Sequence, residues 1–157
     1  MVHLKFFVSK DLAGLSYVLD ERQSLYTSTA AQALERIEER GDGLAFPVSV
    51  FDDAVLAGFL VLDFGADKFD ITDNPNSVLL RSLSINPELQ GKGIGKSVMF
   101  VIDEFVKKYF LTCDEIVLAV NQNNTLAYEI YLKTGYVYDG RIRDGRSGPQ
   151  FLMYKKL

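Results

Sequence analysis

The segment Leu83-Ser84-Ile85-Asn86-Pro87-Glu88-Leu89-Gln90-Gly91-Lys92-Gly93-Ile94-Gly95-Lys96 constrains this chain more than any other. The apolar stretch that ends at Ile85 is stopped by Asn86-Pro87, a pair that turns an extended strand. Glycines follow at 91, 93 and 95, and a helical pattern starts at once. Val98, Val101, Ile102, Phe105, Val106 and Tyr109 recur at three- and four-residue spacing along Gly95–Tyr109. A strand, a glycine loop and a helix start in that order make an anion site. The glycines let backbone N–H groups approach a phosphate. The helix start contributes unpaired donors and the positive end of its dipole, and Lys92 and Lys96 add charge.

The rest of the chain fits one mixed α/β domain over residues 1–157. A strand is expected at Val2–Val8, with helices at Asp11–Asp20 and Ser28–Glu39. Phe46–Phe51 and Val55–Phe64 flank a turn at Asp52-Asp53, and Gly65–Pro75 is a polar loop before the strand Ser77–Ile85. Glu115–Val120 is a short buried strand, a helix runs from a cap at Asn124 through Lys133, and Gly135 ends it. Tyr136–Asp139 and Gln150–Tyr154 close the sheet.

Composition removes several function classes. With one cysteine (Cys113) and one histidine (His3), the chain has no internal disulfide framework or multi-cysteine metal cluster. A Ser-His-Asp triad would have to use His3. Seventeen basic against twenty-one acidic residues leave a net charge of -4, which argues against nucleic-acid partners. No apolar run reaches the ~18 residues of a membrane span. The start of the chain lacks the features of a signal peptide. The expected compartment is the cytoplasm.

Three phosphate-loop patterns compete for the glycine segment. A Walker A loop ends as Gly95-Lys96-Ser97 does, but its opening glycine is replaced by Gln90. A G-x-G-x-x-G fingerprint fails because Lys96 stands where the third glycine belongs. The pattern Gln/Arg-x-x-Gly-x-Gly/Ala is met in full by Gln90-Gly91-Lys92-Gly93-Ile94-Gly95. There the chain resembles the GNAT superfamily of acetyl-CoA-dependent N-acetyltransferases. Downstream, Asn121-Gln122-Asn123-Asn124-Thr125-Leu126-Ala127-Tyr128-Glu129-Ile130-Tyr131-Leu132-Lys133-Thr134-Gly135-Tyr136 resembles the second signature of that family. Asn124 and Tyr131 are seven residues apart, about two helical turns, so they share one face.

The resemblance covers residues 46–157 well and implies a GNAT fold: a mixed, splayed sheet of about six or seven strands flanked by about four helices. It implies acetyl-CoA as cosubstrate, entering between the fourth and fifth strands, and no metal. Backbone groups of Leu83, Ser84 and Ile85 would meet the pantetheine arm. Gln90, Gly91, Lys92, Gly93, Ile94, Gly95 and Lys96 would hold the pyrophosphate, Asn124 would touch the cofactor, and Tyr131 would protonate the departing thiolate. The implied acceptor is a small primary amine such as a polyamine. The alternatives are a peptide or protein amine, or an inactive acyl-CoA-binding sensor. A homodimer is compatible with the resemblance. The general base is a departure: Leu79 and Ala119 stand where some members carry Glu. Asp63, Asp67 and Glu129 are candidates for a water relay. Arg81, Ser82 and Ser84 are candidates to line the pocket, and Asp67, Asp70 and Asp73 to attract a cation.

Overall fold

The computed structural model describes residues 1–157. Its strands are β1 (Val2–Phe6), β2 (Ala45–Asp52), β3 (Val55–Asp63), β4 (Ser77–Ile85), β5 (Glu115–Asn121), β6 (Val137–Gly145) and β7 (Gly148–Lys156). They form one sheet in the order β1-β2-β3-β4-β5-β7-β6. The α-helices are α1 (Glu21–Tyr26), α2 (Ala30–Arg40), α3 (Ile94–Tyr109) and α4 (Thr125–Lys133). All sheet pairs are antiparallel except β4–β5.

The strands at the centre are apolar on both sides because both faces are covered. Leu60 and Leu62 of β3 join Val48, Val78, Met99 and Ile102 in the main core under α3. Their neighbours Phe59 and Val61 point the other way, onto Leu15, Ala30 and Ala33. This is the period-two alternation of a strand. Each such side chain, fully buried, is worth about 1.5–3 kcal/mol, so this sandwich fixes the sheet on which the site is built.

The feature that opens the site is the short β4–β5 contact. Only Ser77, Val78 and Leu79 pair with β5, opposite Glu115, Ile116 and Val117. Beyond Leu79 the two strands part. β4 carries a bulge there: Val61 pairs with Arg81 but Phe59 with Ser84, leaving Ser82 and Leu83 without partners in β3. Ser82 has φ of 57°, in the left-handed region. An extra residue bends a strand and turns its edge groups, so the bulge aims β4 into the gap.

The sequence reading needs three corrections. No helix spans Asp11–Asp20. Two 3-10 turns, Ser9–Asp11 and Ala13–Leu15, stand in its place, and α1 follows at Glu21–Tyr26. The Asp11 carboxylate is buried, where it accepts from Val8 N (3.2 Å) and Ser49 Oγ (2.9 Å), and that local bonding competes with a helix. Asn124 does precede α4, but its side chain makes no capping hydrogen bond. The closing strands are longer than the apolar pattern suggests, because β6 and β7 continue as a largely solvent-facing hairpin to a turn at Gly145–Gly148.

Candidate active site

The glycine loop folds so that its amides stay free. None of the backbone N–H groups of Gly91, Lys92, Gly93, Ile94, Gly95 or Lys96 meets an acceptor in the protein. The first bonded amide of the turn is Ser97 N, 3.0 Å from Gly93 O. Gly91 and Gly93 hold this shape with φ of 80° and 78°, a conformation that costs other residues dearly. Gly95 is helical, and a Cβ built on any of the three meets nothing within 4 Å. Ile94 is buried and anchors the loop to the core, while Lys92 and Lys96 are exposed. Consecutive unpaired amides at a helix start, with open space above them, fit a pyrophosphate.

Across the gap, α4 presents the second motif. The Asn124 Oδ1 is buried and has no hydrogen-bond partner, a costly state that a ligand donor would relieve. Tyr131, on the same face, packs against Tyr136 with ring centroids 5.8 Å apart. Its hydroxyl makes no hydrogen bond in the protein, and burial pushes the phenol up to about 12. Tyr131 is therefore protonated throughout the physiological range and remains a donor.

The three β4 residues expected to meet the pantetheine arm differ in availability. Leu83 has no cross-strand partner. The Ser84 Oγ lies 2.7 Å from Tyr17 Oη. Ile85 is engaged by a side chain: its N–H donates to Gln23 Oε1 at 3.1 Å and its carbonyl accepts from Gln23 Nε2 at 3.0 Å.

The stretch Tyr17–Leu25 thus lies against the end of β4 and the β6–β7 turn, contacts that the sequence reading left out. Asp20 caps α1 by accepting from Gln23 N at 2.8 Å. The spacing Asp20…Gln23 is a capping signal that was available in the sequence. Ser147 Oγ donates to Leu25 O at 2.6 Å and Asn121 Nδ2 donates to Ser147 O at 2.8 Å. The β6–β7 turn is therefore tied both to α1 and to the end of β5.

Of the acids suggested for a water relay, Asp63 and Asp67 are held by arginines and Glu129 is exposed. Asp63 is buried and binds Arg40 Nη1 (2.7 Å), Arg81 Nη1 (3.1 Å) and Gly65 N (2.8 Å). Burial raises its carboxyl, but Arg40, the Gly65 amide and Arg81 outweigh that and hold it below the usual range. Asp67 pairs with Arg81 at 2.7 Å and Asp70 with Arg143 at 3.6 Å. Glu129 and Asp73 are exposed.

A free-amide phosphate cradle beside two splayed parallel strands defines a class of acyl-carrier-dependent enzymes, and comparison with known proteins gives the family. A model of the "Acetyltransferase (GNAT) family" matches residues 14–136, and the chain belongs to that family. It is an acyltransferase, and its acyl donor is acetyl-CoA. It is 33% identical to "Uncharacterized N-acetyltransferase YbbJ" of Bacillus subtilis, over 99% of this chain and 98% of that protein. It is 25% identical to the B. subtilis "Spermine/spermidine N(1)-acetyltransferase" over 61% of this chain and 62% of that one. Among solved structures, AAC(6')-Ib in complex with paromomycin and acetyl-CoA superposes with a TM-score of 0.80 at 17% identity, covering 99% of this chain and 93% of that one. The Vibrio cholerae spermidine N-acetyltransferase in complex with CoA and spermine gives 0.73 at 20% identity, covering 99% and 95%. At these identities the two structures share the fold. No helix is long and apolar enough to cross a membrane.

Proposed function

We propose that this chain transfers an acetyl group from acetyl-CoA to the primary amine of a small molecule by direct attack, with Tyr131 as general acid. The observation that carries this reading is the row of unpaired amides from Gly91 to Lys96. It is joined by two further unpartnered groups of the second motif, the Tyr131 hydroxyl and the orphaned Asn124 Oδ1. Gly91 through Lys96 hold the pyrophosphate, with Gln90 leading into the loop. Leu83, without a register partner in β3, meets the pantetheine arm, Ser84 and Ile85 lie beside it, and Asn124 takes a donor from the cofactor.

Acetyl-CoA supplies an activated thioester. The amine nitrogen forms a bond to the carbonyl carbon, the carbon–sulfur bond breaks, and the electron pair leaves on sulfur. Tyr131 holds a proton at its hydroxyl oxygen and gives it to that sulfur; the proton lost by the amine goes to solvent, from which the phenol is restored. Asp63 and Asp67 are spent on arginines and Glu129 is exposed, so no side chain is assigned as the base and the amine proton passes to water. The hydroxyl at Tyr131 separates this reading from an inactive acyl-CoA sensor, for which a free donor has no use. The small-molecule acceptor draws support from the names of the polyamine and aminoglycoside acetyltransferases above. A peptide amine is the competing acceptor class.

The test is mass spectrometry of products formed from acetyl-CoA and a mixture of polyamines, amino acids and peptides, with thiol release followed in parallel. Acetylated small amines are expected. Tight coenzyme A binding with no product from any amine would favour the sensor.

A further inference from the structure

The charges around the opening carry information about the acceptor. Arg36 of α2 donates through Nη2 to Ser28 Oγ at 2.7 Å, and Ser28 Oγ lies 3.4 Å from Ser82 Oγ in the β4 bulge. Arg146, in the β6–β7 turn, reaches only the carbonyls of Ser24 and Leu25, at 3.4 and 3.5 Å. Those distances are long for a charged donor. The ion pairs of this region are Arg40–Asp42, Arg40–Asp63, Arg81–Asp63, Arg81–Asp67 and Arg143–Asp70. They leave Arg36 and Arg146 without a carboxylate.

Both unpaired arginines are tied to one short stretch of chain, Arg146 to Ser24 and Leu25 and Arg36 to Ser28. Burial first, and then the positive charges of Arg81 and Arg146, lower the pKa of the Arg36 guanidinium. Like charges held together are unfavourable unless an anion joins them. Shortage of acids does not explain the arrangement, since the chain has twenty-one acidic residues against seventeen basic ones. The two arginines without a carboxylate thus belong to a chain whose net charge is -4.

There is also room for a ligand. Arg146 lines a cleft of ≈ 470 Å³ together with Tyr17, Ser24 and Thr27, a volume within the range of small-molecule sites; Arg36 stands outside it, bonded to Ser28, the residue after Thr27. Tyr17 connects the cleft to Ser84 on β4. The Thr27 Oγ1 in its wall is buried with no hydrogen-bond partner.

We infer that the acceptor is a small primary amine that also carries a carboxylate, and that Arg146, in the cleft, receives that carboxylate with Arg36 adding its charge from across Ser28. This inference rests on the acetyltransferase reading above and narrows its substrate class. The planar guanidinium fork matches a carboxylate in geometry as well as charge. A polyamine has no anion to offer and brings further positive charge to two arginines that already lack a carboxylate. An amino-acid-type acceptor neutralises the mouth while its amine enters the gap beside β4.

The experiment compares free amino acids, each against its carboxamide and its decarboxylated amine, in steady-state acetylation by the wild type, Arg36→Gln and Arg146→Gln. Coenzyme A affinity and melting temperature are measured on the same samples. Wild type is expected to favour the carboxylate form in kcat/KM by about tenfold to a hundredfold, the scale of hydrogen bonds to charged groups. In each variant that preference shrinks toward one, mostly through KM, with coenzyme A affinity retained. Equal or better use of carboxamides and diamines by the wild type overturns the inference and leaves the transferase reading standing. So does a loss in the variants shared equally by all acceptors. Absence of any acetylated amine despite coenzyme A binding overturns both.

Discussion

The carboxamide of Gln23 makes two hydrogen bonds to the backbone of Ile85, one to its N–H and one to its carbonyl. The neighbouring residue Asn86 donates its N–H to Ala57 on the β3 side. By alternation, the Ile85 groups face away from β3, along the edge that opens toward β5. Gln23 therefore occupies the edge that an incoming amide-bearing chain would use, and on the proposed placement of acetyl-CoA α1 stands partly across its slot.

It follows that Gln23→Ala should bind coenzyme A more tightly than the wild type. Each net hydrogen bond is worth about 0.5–1.5 kcal/mol. Removing the competitor should improve affinity by about threefold to tenfold, with a melting temperature slightly lowered because α1 loses its tether. Calorimetric titration of both proteins decides this. Weaker binding by Gln23→Ala would make Gln23 part of the cofactor's bed instead.

The glycines of the loop separate two effects that the sequence pattern merges. Gly93 has φ of 78°, so Gly93→Val should cost roughly 1–3 kcal/mol of strain and lose coenzyme A affinity as well. Gly95 has an ordinary helical backbone and open space around its Cβ position. Gly95→Val should melt near the wild-type temperature yet bind coenzyme A at least about tenfold more weakly, because its methyl groups fill the space above the free amides. Thermal melts paired with titrations check this, and unchanged affinity in Gly95→Val would remove the loop from the site.

The loop and the α4 motif were legible because their information is local. A left-handed turn needs glycine where it falls, and a helix face repeats in the sequence. What the sequence concealed was nonlocal. Gln23 lies 62 residues from Ile85, and Ser147 is 122 residues from Leu25. The β4 bulge has no glycine to announce it, since Ser82 takes the left-handed conformation. Asn124 was legible as a helix start but not as an orphan, because only the folded chain shows that its Oδ1 lacks a partner. The acids 63 and 67 read as candidate bases until Arg40 and Arg81 were seen to hold them.

Asp63 links α2 to β4 through Arg40 and Arg81, and its carboxyl is held below the ordinary range. Such a group stabilises the fold fully above its unfolded pKa of about 3.9, and that contribution is lost as pH falls through the lower folded value. Asp63→Asn should cost about 2–3 kcal/mol at neutral pH, somewhat less than the ~3–5 kcal/mol of a fully buried pair because both arginines are partly exposed. Denaturant melts at pH 7 and at pH 3 check the sign. The gap between wild type and variant should narrow at the lower pH, and a constant gap would deny the carboxylate that role.

Tyr131 allows the sharpest separation of chemistry from packing. Its ring rests on Tyr136 while its hydroxyl has no partner in the protein, so Tyr131→Phe removes a donor and almost no contact area. The melting temperature and coenzyme A affinity should stay near wild type. Single-turnover acetyl transfer should slow by about tenfold to a thousandfold, because positioned general acids contribute roughly 10²–10⁴-fold and water replaces part of the effect. The phenol is pushed up to about 12 by burial. As a proton donor it is fully present below that value, so the wild-type chemical rate should show no alkaline loss from Tyr131 up to about pH 10. A residue of ordinary phenol acidity would begin to lose activity there. A wild-type rate in Tyr131→Phe would leave Tyr131 as a packing aromatic and shift the balance toward a protein that binds acyl-CoA without turning it over.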